Sequence, residues 1–189
     1  LGIPPNSDRS ADFMGIELKT KTDASLQTLF SRVPSRYVGF DGKRDFFKKH
    51  CYWDAGRQRH ALYTSFSSRA DPLGFQLRVT GLVIQVCRDG EIAMEYEAER
   101  LEEALLSKHS QTAFISVRPV HEGGRERCLV DSAVFCKGPS IIRFMRLVAD
   151  GAVYLDFTMS EKEDRIRDHG FLWRITSEAI DQLYLHSEI

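Results

Sequence analysis

The segment from residue 74 to residue 97, GFQLRVTGLVIQVCRDGEIAMEYE, constrains the fold more than any other part of the chain. It is patterned like a β-hairpin, and Asp89-Gly90 supplies the tight turn, with positive φ, that joins two antiparallel strands. The next segment, AERLEEALLSKHS (98–110), has leucines at helical spacing, with acidic residues early and Lys108 and His109 late, as a helix dipole favours. A hairpin followed directly by a helix indicates a chain that mixes strands and helices.

Other segments continue this mixture. An alternating pattern predicts a strand at residues 59–68, and further strands are predicted at residues 112–120, 127–136 and 152–159. The segment SIIRFMRLVADG (140–151) predicts an amphipathic helix that a glycine ends. Residues 25–30, SLQTLF, are predicted to form a short helix, residues 160–170 a charged loop before the strand FLWRI, and the chain from Thr176 a terminal helix. The predicted fold class is therefore mixed α+β, a mixed sheet flanked by helices.

Length and charge limit the function classes. The chain has 189 residues, suited to a single domain over 1–189 with either one core or one core and two small lobes. Lys and Arg number 26 against 27 Asp and Glu, so the net charge of −1 gives no overall argument for a nucleic-acid partner, although it is compatible with a local basic cleft. Neither a membrane-spanning run nor a signal peptide is visible in the sequence.

The cysteines point to a reducing compartment. Cys51, Cys87, Cys128 and Cys136 have no C-x-x-C spacing and the six histidines form no H-x3–5-H pair, so a structural zinc site is not expected. Scattered cysteines without a secretory signal are typical of free thiols, and a cytoplasmic location is expected. Because the chain opens at Leu1 without a methionine, we also expect it to be a fragment of a longer protein, with an upstream domain as a candidate partner.

The run GKRDFFKKHCYWDAGRQRH (42–60) interleaves basic and aromatic residues. Such a run can form a DNA-facing surface. It fits equally well a solvated basic face above an aromatic core. The sequence alone leaves both interpretations open.

The segment DFMGIELKTKT (12–22) is apolar enough for a buried strand, yet it carries Asp12, Glu17 and Lys19. Side chains two apart in a strand share a face, so Glu17 and Lys19 project together, and a bend at Gly15 lets Asp12 join them. Two converging carboxylates suit Mg²⁺, and a neighbouring lysine can position a water or stabilise charge on a phosphate. A cross-strand ion pair on an edge strand explains the same tripeptide without any catalysis.

The spacing of these residues resembles a known active-site motif. Four residues separate Asp12 from Glu17, and one residue separates Glu17 from Lys19. This arrangement resembles the active-site motif of the PD-(D/E)xK nuclease superfamily, and more narrowly that of the MvaI/BcnI restriction endonuclease family, which is similar to the mismatch-repair nickase MutH. A second block, RDHGFLWRI (167–175), resembles the Asp-His-Gly…aromatic-Arg-Ile signature near the C-terminus of the same family. Two blocks in this order are more specific than a lone E-x-K tripeptide.

This resemblance implies a restriction-endonuclease-like core with two small lobes around a DNA cleft. It implies a Mg²⁺-dependent endonuclease that hydrolyses phosphodiester bonds in double-stranded DNA, either as a sequence-specific type II restriction enzyme or as a nickase. We expect such an enzyme to be a monomer. Asp12, Glu17 and the main-chain carbonyl of Leu18 would bind Mg²⁺, and Lys19 would activate the attacking water. The catalytic lobe would lie near the N-terminus.

The C-terminal block is implied to contact DNA, with recognition elements near 160–175. Asp168, His169 and Arg174 are expected to contact bases, since Arg reads guanine and an acid can accept from the cytosine amino group. Arg167 is expected to contact phosphate. The bulky FLW before Arg174 departs from the small residues of the family, so no recognition sequence is transferred.

Two alternatives to an active nuclease stay open at this point. One is a catalytically silent DNA-binding module that keeps the nuclease fold. The other is a plain globular domain in which ELK is a surface ion pair. The intact trio of Asp12, Glu17 and Lys19 argues against the silent module, because a decayed site usually loses one of the three.

Overall fold

The computed structural model describes residues 12–21, 26–163 and 165–188, and within them the chain is a mixed α+β fold. The strands are β1 Glu17–Lys21, β2 Gln27–Ser31, β3 Arg36–Tyr37, β4 Tyr52–Asp54, β5 Arg59–Phe66, β6 Phe75–Thr80, β7 Val83–Arg88, β8 Glu91–Glu97, β9 Gln111–Glu122, β10 Arg125–Pro139, β11 Val153–Lys162, β12 Arg165–Ile175 and β13 Tyr184–Glu188. The helices are α1 Lys43–His50, α2 Ala98–His109, α3 Ile141–Ala149 and α4 Ile180–Leu183, the last preceded by a 3₁₀ turn, Ser177–Ala179.

Three sheets organise these strands. Their orders are β1-β9-β10-β13, β2-β12-β11-β5-β4 and β3-β8-β7-β6. The strand β1 runs parallel to β9, with Glu17 opposite Thr112, so the first of these sheets is mixed. Parallel neighbours need a crossover connection, and α2 is the helix that returns the chain to the start of β9. This topology places the C-terminal end of α2 near the ELK strand.

Aromatic side chains join the sheets to one another. Trp173 of β12 lies 5.1 Å from Tyr96 of β8, 5.3 Å from Phe144 of α3 and 6.5 Å from Phe30 of β2, measured between ring centroids. All four rings are buried. Because each ring removes a large apolar area from water, the cluster holds α3 and two sheets together and gives β12 a rigid base.

The hairpin predicted at 74–97 is confirmed, with one addition. The strands β7 and β8 pair around Asp89 and Gly90, whose φ angles are 51° and 93°. The segment before this turn is divided, because Gly81 (φ 58°) and Leu82 form a second two-residue turn between β6 and β7. A glycine opening a two-residue loop is itself a hairpin signal, so the segment is a three-stranded meander.

The helices predicted at 98–110 and 140–151 are confirmed as α2 and α3. The helix predicted at 25–30 is wrong, because residues 27–31 form β2 and pair with β12; residue 25 lies outside the described residues. The charged loop predicted at 160–170 is also wrong, since residues 160–162 lie in β11 and residues 165–170 in β12. Residues 165–169 are all exposed, so no apolar alternation marks that part of β12 as a strand.

The predicted terminal helix is much shorter than expected. After Thr176 the chain makes one 3₁₀ turn and the single turn of α4, and it then enters β13. The four cysteines are free, as predicted. In the part of the chain that the structure describes, no helix is long and apolar enough to cross a membrane.

Candidate active site

A tight turn before β1 brings Asp12 back onto the strand. Phe13 and Ile16 exchange main-chain hydrogen bonds of 3.0 and 2.8 Å across Met14 and Gly15, whose φ angles are 49° and 80°. The Asp12 Oδ2 atom then accepts a hydrogen bond of 3.0 Å from the main-chain N–H of Leu18. The bend predicted at Gly15 is confirmed, and glycine adopts this positive φ without steric cost.

Glu17 is a buried carboxylate with two lysines at one of its oxygens. Its side chain is only 2% exposed, and its Oε1 atom lies 2.6 Å from Lys19 Nζ and 3.4 Å from Lys108 Nζ. The predicted shared face of Glu17 and Lys19 is therefore confirmed. The other oxygen, Oε2, is buried and has no hydrogen-bond partner among the described residues. A buried acceptor without a donor costs roughly 1–3 kcal/mol, so a cation at this atom would be stabilising.

Lys108 was not among the candidates taken from the sequence. In the sequence, its position in the last turn of the predicted helix was interpreted as a favourable interaction with the helix dipole. The structure shows that its head group reaches Glu17 while 29% of the side chain is exposed. Only the topology could have indicated Lys108 as a site residue. Because α2 leads into β9, and β9 runs parallel to β1, the end of α2 lies beside the ELK strand.

His109, next to Lys108, fixes the end of α2. Its Nε2 lies 2.6 Å from the Leu29 carbonyl oxygen of β2 and its Nδ1 lies 3.0 Å from Thr112 Oγ1. Since a carbonyl only accepts, Nε2 carries the proton and Nδ1 accepts from the hydroxyl of Thr112. Burial, with the charges of Lys19 and Lys108, lowers the pKa of His109 to about 4, so the ring is neutral at neutral pH.

Thr112 extends this hydrogen-bonded chain toward the carboxylate. Its hydroxyl oxygen accepts from the Tyr184 hydroxyl at 3.3 Å, and Thr112 is the register partner of Glu17. Burial first, and the charge of Glu17 among the further causes, raises the pKa of Tyr184, which therefore stays protonated and able to donate. The network thus holds α2, β2 and β9 in a fixed relation around the ELK strand.

The donor set at β1 suits a hard cation with few protein ligands. Among the described residues, no three His, Cys, Asp or Glu side chains converge on one point. Two carboxylates are available as ligands: Glu17, through its unpartnered Oε2, and Asp12, which is hydrogen-bonded to the main chain of Leu18. Mg²⁺ commonly binds through one or two carboxylates and keeps several waters, so the residues present fit this ion.

The Asp-His-Gly block forms a β-bulge in β12. Phe157 pairs with Phe171 and Met159 with Asp168, so His169 and Gly170 stand opposite a single residue of β11. A bulge bends its strand and re-aims the side chains at that point. His169, at this bulge, is exposed, and Arg167 is exposed two residues earlier.

Arg174 lies further along β12, in contact with other protein groups. Its Nη1 atom lies 2.8 Å from Asp156 Oδ2, and its Nη2 atom donates to the Leu26 carbonyl at 2.9 Å. Asp156 Oδ1 accepts from the Ser65 hydroxyl at 2.5 Å. The guanidinium is thus engaged within the protein, and contact of Arg174 with a base stays a prediction that requires these bonds to open.

The catalytic and recognition candidates lie on different sheets. Asp12, Glu17 and Lys19 belong to β1 and its preceding turn, whereas residues 167–174 belong to β12 in the five-stranded sheet. The strand β2 links them, since it pairs with β12 and gives its Leu29 carbonyl to His109 of α2. Within the described ranges, no hydrogen bond or ion pair joins the two sets directly.

The basic and aromatic run at 42–60 divides between its two interpretations. Phe46 and Phe47 of α1 are buried, so the helical part is a basic face above an aromatic core. Tyr52 and Trp53 of β4 are 39% and 57% exposed, as expected for residues available to a ligand. The structure therefore separates a structural half from an accessible half.

Comparisons with known proteins agree on one family and fold. The model of the MvaI/BcnI restriction endonuclease family matches residues 1–184. The complex of restriction endonuclease MvaI with its cognate DNA substrate has a TM-score of 0.80 at 18% identity, over 98% of this chain and 82% of that chain. MvaI in the absence of DNA has a TM-score of 0.62 at 19% identity, over 94% of this chain and 79% of that chain. A search of curated proteins found no match.

Proposed function

The chain belongs to the MvaI/BcnI restriction endonuclease family, and from this premise we propose that it is a Mg²⁺-dependent endonuclease acting on phosphodiester bonds of duplex DNA. Membership makes a DNA-cleaving hydrolase the reaction class. The observation that carries the proposal is Glu17, whose buried carboxylate has two lysines at one oxygen and no partner at the other. A structural ion pair alone does not explain an unpartnered buried oxygen.

The carboxylates of Asp12 and Glu17, with the Leu18 carbonyl, are proposed to hold Mg²⁺. Mg²⁺ bound there would supply a Lewis acid for the phosphate and a lowered pKa for a coordinated water. Asp12 is kept beside this position by its hydrogen bond to the Leu18 N–H. The buried setting of Glu17 strengthens its attraction for a cation, because water does not screen it.

The two lysines are proposed to divide the work on the phosphate. Lys19 and Lys108 are 22% and 29% exposed, so each head group reaches Glu17 on one side and solvent on the other. Lys19 would orient the attacking water, and Lys108 would bind a non-bridging phosphate oxygen as a compact point charge. The water oxygen bonds to phosphorus as the bond from phosphorus to the 3′ oxygen breaks, which leaves a 3′-hydroxyl and a 5′-phosphate.

Duplex DNA is the proposed partner, supported by the likeness of the fold to the MvaI complex with its cognate DNA substrate. The bulge of β12 presents Asp168 and His169 as candidate base contacts, and the exposed Arg167 is a candidate phosphate contact. Arg174 joins them only if it exchanges Asp156 for a base. A sequence-specific restriction enzyme and a nickase are both compatible with this arrangement.

A plasmid assay tests the proposal. Supercoiled plasmid is incubated with the protein in Mg²⁺, in EDTA, and with Lys19→Met, and Lys48→Met on the exposed face of α1 is the matched control. We expect cleavage that EDTA and Lys19→Met abolish and Lys48→Met retains. Discrete fragments would indicate sequence-specific double-strand cleavage, and open circles would indicate nicking. Retarded DNA without cleavage would instead support a silent DNA-binding module. If the protein neither cleaves nor retards DNA, the nuclease and the DNA-binding module are both refuted.

A further inference from the structure

We propose that Lys43 is a positioning residue for DNA recognition, which fixes the carboxylate of Asp168 and with it the bulge that presents His169. The inference rests on the proposed function and deepens it. Lys43 is the first residue of α1 and lies 125 residues from Asp168, in the basic run whose role the sequence left open. Its Nζ atom forms an ion pair with Asp168 Oδ1.

The head group of Lys43 is held from several sides. Its Nζ atom lies 5.0 Å from the ring centroid of Phe171 and 5.9 Å from that of Phe157, two rings of the buried core. A cation over an aromatic face is attracted by the ring quadrupole, more strongly where water is partly excluded. The Lys43 side chain is 18% exposed against 39% for Asp168, so the lysine lies beneath the carboxylate, and the carboxylate faces outward.

Both donors to Asp168 use the same oxygen. Oδ1 takes the ion pair from Lys43 and also a hydrogen bond of 2.8 Å from the main-chain N–H of Gly170. This pairing sets the carboxylate plane and leaves Oδ2 outside both contacts as an acceptor. An outward carboxylate oxygen can accept from an exocyclic base amino group in the major groove, of which cytosine N4 is the usual partner of an acid.

The bulge also lies close to the neighbouring strand β2. Gly170 has a φ of 85°, and a Cβ atom there would lie 3.0 Å from Ser31 Oγ of the neighbouring strand, so the bulge is pressed against β2. Burial, and then the charge of Asp168, raises the pKa of Tyr37 in β3. The ion pair with Lys43 gives the Asp168 carboxylate a counter-ion, without which it would face the negative charge of DNA alone.

The geometry favours positioning by Lys43 over direct contact with phosphate. Its ammonium already has a carboxylate partner and two aromatic neighbours, whereas Arg165 and Arg167 stand exposed on the same hairpin. A phosphate contact contributes equally on every sequence, while a residue acting through Asp168 changes the preference for particular bases. The measurement that distinguishes these roles is therefore base preference, which would not change if Lys43 had only a structural or a general electrostatic role.

The test is a cleavage selection on a random duplex library in Mg²⁺, with sequencing of the cut ends, beside a binding selection in Ca²⁺. The variants are Lys43→Met, the conservative Lys43→Arg, Asp168→Asn and the control Lys48→Met, and thermal unfolding verifies that each is folded. We expect Lys43→Met and Asp168→Asn to lose discrimination at the same base pair, by roughly tenfold to a hundredfold, with Lys43→Arg and Lys48→Met close to the parent. The double variant should be no worse than Asp168→Asn.

A uniform loss of affinity in Lys43→Met, with its base preference intact, would overturn the inference and make Lys43 a phosphate contact. Should Lys43→Met not fold, Lys43→Gln supplies the same comparison. If the parent protein cleaves selectively and the variants keep its base preference, this inference alone is refuted. If the parent protein neither cleaves nor selects DNA, the proposed function is refuted, and this inference with it.

Discussion

Acidification is expected to destabilise the protein through His109, the buried histidine at the end of α2. Its ring is neutral in the fold because it is buried, and its two nitrogens are both engaged, one donating to the Leu29 carbonyl and one accepting from Thr112. Protonation would turn the accepting nitrogen into a donor, so the Thr112 hydroxyl could no longer donate its hydrogen to the ring. The unfolded chain has no such restriction, so it binds a proton more readily.

The magnitude follows from the pKa difference. Burial lowers the pKa of His109 to about 4 in the fold, against an ordinary value of 6.5. Between these values the unfolded chain holds more protons, so stability is complete above the ordinary pKa and decreases as the pH falls toward the folded one. Linkage across this window gives a loss of about 2 kcal/mol of unfolding free energy between about pH 7.5 and about pH 5.

Urea denaturation of the parent and of His109→Gln at several pH values measures this loss. The variant cannot titrate at this position and loses buried hydrogen bonds, so we expect it to be less stable at neutral pH by about 1–3 kcal/mol. The gap between the two proteins should narrow by about 2 kcal/mol on acidification. His50, whose pKa burial also lowers to about 4, is present in both proteins and largely cancels in the difference. A gap that stays constant across this range would refute the reasoning.

Three further outcomes are expected. Glu17→Gln should abolish the heat of Mg²⁺ binding in titration calorimetry and reduce cleavage by roughly a hundredfold or more; unchanged Mg²⁺ binding would contradict the ligand assignment. Lys108→Met should slow cleavage at saturating Mg²⁺ by roughly tenfold or more while Mg²⁺ binding is retained, and an unchanged rate would contradict its contact with phosphate. Arg174→Ala should lower the unfolding free energy by about 2–4 kcal/mol, because Asp156 is left buried without its counter-ion, whereas Arg146→Ala, at a well-exposed pair, should change it by under about 1 kcal/mol.

Some features were determined by the sequence itself, because they depend on neighbours along the chain. The period of two in a strand placed Glu17 and Lys19 on one face, and Gly15 allowed the turn that returns Asp12 to Leu18. The Asp89-Gly90 turn and the two amphipathic helices likewise follow from local spacing. The family resemblance of the two blocks was also visible in the residues alone.

Other features were decided only by the tertiary structure. Lys108 reaches Glu17 because the crossover through α2 ends beside β1, which runs parallel to β9. Lys43 forms an ion pair with Asp168, which is distant from it in the sequence. Residues 27–30, predicted as part of a short helix, form a strand because an edge of β12 is available to pair with them, and this pairing outweighs local preference. Periodicity specifies which face a side chain occupies, but the partner on that face depends on how distant elements pack. The local pair of Glu17 and Lys19 was therefore visible in the sequence, whereas the additional cations Lys108 and Lys43 were decided by tertiary packing.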